Sequence, residues 1–106
     1  MSQPYAVAQP ERTAIDAMAG VIALEFGADW CGHCRAAAPL IASALALFPG
    51  AQHIKVEDGS GRKLGRAFRV KLWPTLVVLK DGIELARVVR PASEDEVRQA
   101  LSAAAH

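Results

Sequence analysis

The only two cysteines of the chain stand three positions apart, within Glu25-Phe-Gly-Ala-Asp-Trp-Cys-Gly-His-Cys-Arg35. Two thiols that close can run a two-step exchange: one attacks a disulfide to form a mixed disulfide, the other displaces it, and the reverse sequence oxidises. Cys31 is the candidate nucleophile. It falls where an apolar run gives way to a helical pattern, and the unpaired N–H groups and positive dipole end of a helix's first turn favour a thiolate. Dipole effects of about 0.3–2 kcal/mol favour the thiolate by at most roughly 1.5 pKa units, enough for partial ionisation. His33, between the cysteines, pushes the same way when cationic. Cys34, one turn further in, is expected to be the less exposed sulfur and to resolve the mixed disulfide. Two thiols packed merely as small apolar residues would not require Trp-Cys-Gly-His-Cys at a strand-to-helix junction. Structural zinc needs four ligands, and beyond Cys31, Cys34 and His33 the chain has only His53 and His106 of the usual soft type. No metal is therefore assigned, and a metal or iron–sulfur cluster bridging two chains is the minor alternative.

The elements that must position this pair follow from periodicity. Tyr5 to Ala8 reads as a short edge strand and Pro10 to Ala19 as a first helix, with proline near its start, Ile15 and Met18 one turn apart, and Gly20 beyond its end. Val21-Ile-Ala-Leu-Glu-Phe26 is a nearly continuous apolar run of strand length, as expected for a central strand covered on both faces, and Glu25 is the one charge in it. Cys34 to Phe48 is helical in composition, with Ala38, Ile41, Ala42 and Leu45 as its expected apolar face, Pro39 near its first turns and Pro49-Gly50 as its stop. A short strand over His53 to Val56, a turn at Asp58-Gly-Ser-Gly61 and a short helix over Arg62 to Phe68 come next. Thr75-Leu-Val-Val-Leu79 and Ile83 to Val89 form an antiparallel pair about a turn at Lys80-Asp-Gly82. Ser93-Glu-Asp-Glu96 is a capping box, opening a last helix striped with Val97, Ala100, Leu101 and Ala104. The order β-α-β-α-β-α-β-β-α implies an α/β fold with a central mixed sheet sandwiched by helices.

Composition narrows the classes. The chain has 106 residues, 52% of them hydrophobic and 22% charged, with a formal charge of +1, so one domain over 1–106 is expected and no global field recommends nucleic acid or an anionic membrane. The apolar runs Val21 to Leu24 and Leu76 to Leu79 fall far short of the roughly 20 residues that span a bilayer. The first ten residues lack the charged and apolar regions of a signal peptide, so a cytoplasmic location is expected, where structural disulfides are unusual and two close cysteines need a chemical reason.

With Trp30-Cys-Gly-His-Cys34 and, further on, Trp73-Pro-Thr75 leading into a strand, the chain resembles the thioredoxin family from about Tyr5 to Ala104. The resemblance implies the thioredoxin fold, a cis peptide bond at Pro74 beside the cysteines, and neighbouring backbone that receives an extended substrate segment. It also gives Glu25 a role, since thioredoxins carry a buried aspartate there and protein disulfide isomerases a glutamate: proton acceptor for Cys34, aided by the raised pKa of a carboxyl in apolar surroundings. Lys55 matches the lysine that often partners this carboxylate. His33 replaces the proline of thioredoxin's Cys-Gly-Pro-Cys and makes the motif similar to that of protein disulfide isomerase, which implies a couple nearer about −180 mV than about −270 mV. Gly27 stands where thioredoxins usually have a tryptophan, Arg90 where they have a glycine lining the substrate groove, and Trp73 where isoleucine is usual.

The expected function is thiol–disulfide oxidoreduction, reducing protein disulfides through Cys31 and Cys34. Glu25 and His33 assist catalysis, Trp30, Gly32, Trp73, Pro74, Thr75 and Arg90 form the substrate site, and Lys55 supports it. No cofactor is required. The expected partners are protein disulfides and a thioredoxin reductase or other thiol donor, and the expected state is a monomer. The basic run Arg62, Lys63, Arg66, Arg69 and Lys71 reads first as a solvated face and otherwise as a surface for acidic substrates. His53 and Met18 receive no role. The alternatives are a disulfide oxidase or isomerase, and a non-catalytic binding or chaperone module that uses the same groove.

Overall fold

The computed structural model describes residues 4–104. Four strands form one mixed sheet: β1 (Val21–Gly27), β2 (Gln52–Glu57), β3 (Thr75–Lys80) and β4 (Ile83–Val89), in the spatial order β2-β1-β3-β4. Strands β1 and β2 are parallel, while β3 runs antiparallel to both β1 and β4. Four helices cover the sheet: α1 (Arg12–Asp16), α2 (Gly32–Leu45), α3 (Lys63–Ala67) and α4 (Glu94–Ser102). The expected strand at Tyr5 to Ala8 is reduced to a single parallel bridge between Ala6 and Val56, held by Ala6 N–H to the Lys55 carbonyl at 3.0 Å and Glu57 N–H to the Ala6 carbonyl at 2.9 Å. Pro4 and Pro10 flank this segment and cannot donate to a longer ladder.

Alternation along β1 separates two cores. Ile22, Leu24 and Phe26 face α1 and α3, packing with Ile15, Leu64, Phe68, Val56, Val77 and Leu79. Ala23, Leu76 and Val78 face α2 and α4 and meet Ala37, Ile41, Val97, Ala100 and Leu101. Glu25 shares the parity of Ala23, so it is directed to the α2 face. The buried face of α2 consists of Cys34, Ala37, Ile41 and Ala44, which rotates the expected stripe: Ala42 is exposed and Ala38 only half-buried. With alanine on every side of this helix, composition offers little contrast to orient it. Pro39 lies inside α2, which continues to Leu45.

The β3–β4 turn has Asp81 at φ 51° and Gly82 at φ 82°, the two positive angles of a type I′ hairpin. Asp81 also ties the turn to the start of β1, its carboxylate accepting from Gly20 N–H at 2.8 Å. Helix α4 opens with the full capping box, Glu96 N–H to Ser93 Oγ at 3.3 Å and Ser93 N–H to Glu96 Oε2 at 2.9 Å. Its buried residues, with Ala104 just beyond, are the expected stripe. Among the described residues no helix is long and apolar enough to cross a membrane.

Candidate active site

The site forms where β1 ends and α2 begins. Cys31 is the N-cap of α2, with extended backbone at φ −78° and ψ 121°, and its Sγ accepts a hydrogen bond from Cys34 N–H at 3.2 Å. A backbone donor from the first helical turn thus points at the first sulfur, the arrangement that suits an anionic sulfur. Both cysteines are thiols, Cys34 the more enclosed at 2% exposure against 7% for Cys31. Burial, followed by a hydrogen bond with Cys31, pushes the Cys34 thiol up to about 11, against smaller opposing hydrogen bonds from the Ala28 backbone and Tyr5. At neutral pH Cys34 is therefore protonated, and a thiol in that state needs a proton acceptor before it can act as a nucleophile.

Glu25 lies behind Cys34, 1% exposed. Its carboxylate is held on both oxygens: Oε1 is hydrogen-bonded to His53 Nε2 at 2.7 Å, and Oε2 accepts from the Tyr5 hydroxyl. Lys55 is opposite Glu25 in the β1–β2 register, yet its Nζ sits 4.3 Å from the centre of the Tyr5 ring. His53 corrects its expected lack of a role. It is two residues from Lys55 on β2, so both side chains reach the same face of the sheet as Glu25. Tyr5 was not anticipated at all. Its ring lies against Gly27, where an added Cβ would stand 2.6 Å from Cys34 Sγ and 2.7 Å from the Tyr5 hydroxyl. Gly27 has no positive φ, so what it supplies is space, and Tyr5 fills that space. A glycine inside a buried strand was the available signal: close approach of another group is a standard reason for one.

The second wall comes from the loop before β3. The Trp73–Pro74 peptide bond is cis, Pro74 and Thr75 are buried, and Thr75 Oγ1 donates to the Leu72 carbonyl at 2.6 Å. Trp73 is half-buried, its Nε1–H donating to Asp58 at 2.9 Å, and it packs edge-on to the exposed ring of Trp30 with centroids 5.5 Å apart. Gly32 and His33 are exposed on the first turn of α2. Arg90 adopts φ 48°, its N–H donates to the Pro74 carbonyl at 2.9 Å, and its Nε donates to the Trp73 carbonyl at 2.8 Å. Of the basic run, Arg62, Arg66 and Lys71 line a cleft beside Trp73, together with Asp58. Arg62 is paired with Glu57 at 2.6 Å. Among the described residues no group of three or more His, Cys, Asp and Glu side chains is placed to hold a metal ion.

Comparison with known proteins decides the family. The thioredoxin family model matches residues 8–103. The chain belongs to the thioredoxin family. It is 36% identical over 75 residues to a thioredoxin H-type of Oryza sativa subsp. indica, a match covering 71% of this chain and 62% of that protein. It is 29% identical over 96 residues to a thioredoxin of Chlamydia trachomatis, covering 91% and 94%. Among solved structures, thioredoxin 2 from Pseudomonas aeruginosa PAO1 in its reduced form is similar, with a TM-score of 0.88, 51% identity, and coverage of 99% of this chain and 98% of that one. Thioredoxins are thiol–disulfide oxidoreductases that work through a cysteine pair, and the cysteine pair of this thioredoxin fold is Cys31 and Cys34, both free thiols.

Proposed function

We propose that the chain is a cytoplasmic reductase of protein disulfides. Cys31 attacks a substrate disulfide, the substrate's first sulfur leaves, and a mixed disulfide forms. Cys34 then attacks Cys31 Sγ, releasing the second substrate thiol and leaving a Cys31–Cys34 disulfide. The observation that carries this reading is the position of Cys31 at the N-cap of α2, under a backbone donor, with the protonated Cys34 one turn behind it and Glu25 buried beyond. Glu25 serves as the proton acceptor of the resolving step. Trp30, Gly32, Trp73, Pro74, Thr75 and Arg90 border the surface that takes the substrate segment, and Lys55 supports Glu25 through the shared packing around Tyr5.

The exposed His33 supports a more oxidising couple than that of a Cys-Gly-Pro-Cys thioredoxin, similar to that of protein disulfide isomerase. Against a cytosol near −220 to −320 mV, a couple near about −180 mV stays mostly dithiol and acts as a reductant, recharged by a thioredoxin reductase or another thiol donor. The protein acts as a monomer in electron transport to protein substrates. In an oxidising compartment the same residues would donate or shuffle disulfides, and equilibration against glutathione buffers separates the two readings by the potential it returns.

The test of the reaction is insulin reduction with dithiothreitol as electron source. Cys31→Ser is expected to abolish turnover, and Cys34→Ser to accumulate a mixed disulfide at Cys31. Unchanged turnover in either variant refutes the assignment and favours a binding module.

A further inference from the structure

Three groups converge on the space left by Gly27: the Cys34 sulfur, the Tyr5 hydroxyl and, through Tyr5, the Glu25 carboxylate. The first two both fall within 2.7 Å of the point where a Cβ on residue 27 would lie. The other charged or titratable groups around them among the described residues include Cys31, Arg35 from α2, His53 and Lys55 from β2, and Asp29, whose carboxylate accepts from Tyr5 N–H at 3.1 Å. That bond and the Ala6 bridge fix the backbone of the tyrosine, while the Lys55 ammonium packs on its ring.

We infer that Tyr5 is a catalytic residue, its hydroxyl carrying the proton of Cys34 to Glu25 during the resolving step. The inference rests on the reading of Cys34 as the resolving thiol. As Cys34 Sγ attacks Cys31 Sγ, its S–H proton passes to the Tyr5 oxygen while the Tyr5 O–H proton passes to Glu25 Oε2. The Cys31–Cys34 bond forms, the bond from Cys31 to the substrate sulfur breaks, and that sulfur departs with the electron pair. Tyrosine ends neutral, as it began, and Glu25 holds the proton. Burial, then the neighbouring Glu25 carboxylate, keeps the phenol pKa far above its ordinary value, so Tyr5 conducts the proton without ionising. His53 is a positioning residue, holding the other carboxylate oxygen so that Oε2 faces the tyrosine. A cleft lined by Tyr5, Ala28, Asp29, Cys34, Arg35 and Lys55 also opens on the thiol, so water is the rival acceptor that the test must separate.

Ellman's reagent separates the two steps, because one thionitrobenzoate leaves on capture by Cys31 and a second on resolution by Cys34. Followed by stopped flow, Tyr5→Phe keeps the ring and removes the relay, and the second release is expected to slow roughly a hundredfold or more. Capture, measured in the Cys34→Ser background, is expected to stay within about twofold, and the solvent deuterium effect on the second release to shrink. Tyr5 is the only tyrosine in the chain, so biosynthetic 3-fluorotyrosine alters this hydroxyl alone and keeps the packing if Tyr5→Phe fails to fold. Its more acidic phenol is a stronger proton donor and a weaker acceptor, so the rate of the second release and its solvent deuterium effect are expected to change. A second release unchanged in rate and solvent deuterium effect, in either protein, overturns the relay in favour of water. Equal slowing of capture and release also overturns it, as the mark of a structural role. A parent protein that releases no thionitrobenzoate on mixing overturns the exchange reading and the relay with it.

Discussion

Gly27→Ala is a substitution whose sign the geometry decides. At an ordinary φ inside a strand, replacing glycine by alanine stabilises a protein by about 0.4–1 kcal/mol, because the unfolded chain has fewer states to lose. Here the new Cβ would lie 2.6 Å from Cys34 Sγ, 2.7 Å from the Tyr5 hydroxyl and 2.8 Å from Tyr5 Cζ. Comfortable carbon contacts are about 3.5–4.0 Å, so two buried side chains must each retreat by roughly 1 Å. Cys34 is fixed by α2, and Tyr5 by Asp29 and Glu25. Overpacking of this kind costs about 1–3 kcal/mol, which outweighs the backbone gain and leaves a net loss of about 1–2 kcal/mol. For a chain near this size that is a fall of roughly 4–15 °C in Tm. Urea unfolding of the reduced protein checks it, the midpoint falling with the m-value unchanged. Tyr5→Ala removes two of the three close atoms, so in that background Gly27→Ala should cost at least about 1 kcal/mol less. Stabilisation by Gly27→Ala, or an equal cost in both backgrounds, would refute the argument that the glycine exists to admit the tyrosine.

Two further outcomes are expected. Folding raises the Cys34 thiol from its ordinary 9.0 to about 11, so above pH 9 the unfolded chain releases this proton first and is favoured. The reduced protein should therefore lose stability between pH 9 and 11, beyond the loss that Tyr5 contributes above 10 in both redox forms. Urea midpoints of reduced and oxidised protein that stay a constant distance apart from pH 8 to about pH 10.5 contradict this. Arg90→Gly accepts the positive φ without a Cβ penalty and frees the Trp73 carbonyl for a substrate strand. A hydrogen bond of about 0.5–1.5 kcal/mol then corresponds to a KM for an uncharged disulfide peptide that is roughly two- to tenfold lower. A KM that stays the same or rises argues that the guanidinium itself receives the substrate.

The parts of the fold that could be read from the chain were those with strong local contrast. The apolar run of β1, the Asp81-Gly82 turn and the Ser93 to Glu96 box each combine a periodicity with a residue type that few other structures tolerate. Helix α2 has little contrast, since alanine occupies both its buried and its exposed faces, and its stripe is set by what the sheet presents. The site divides in the same way. Cys31, Cys34 and Glu25 are separated by short distances along one strand-to-helix passage. Tyr5 meets Glu25 across 20 positions, and His53 meets Glu25 across 28, contacts created by laying the first segment and β2 side by side with β1. His53 was within reach of strand alternation from Lys55. Tyr5 was not, because its segment makes only one bridge to the sheet.

The chain's two indoles, Trp30 and Trp73, lie ring to ring beside the cysteine pair. All of its tryptophan emission therefore originates beside the cluster that holds the cysteines, against which Trp73 packs, and none from the two cores on the faces of the sheet. Fluorescence of the untagged protein is thus a built-in optical gauge of thiol oxidation and substrate docking, whereas global unfolding is better followed by circular dichroism.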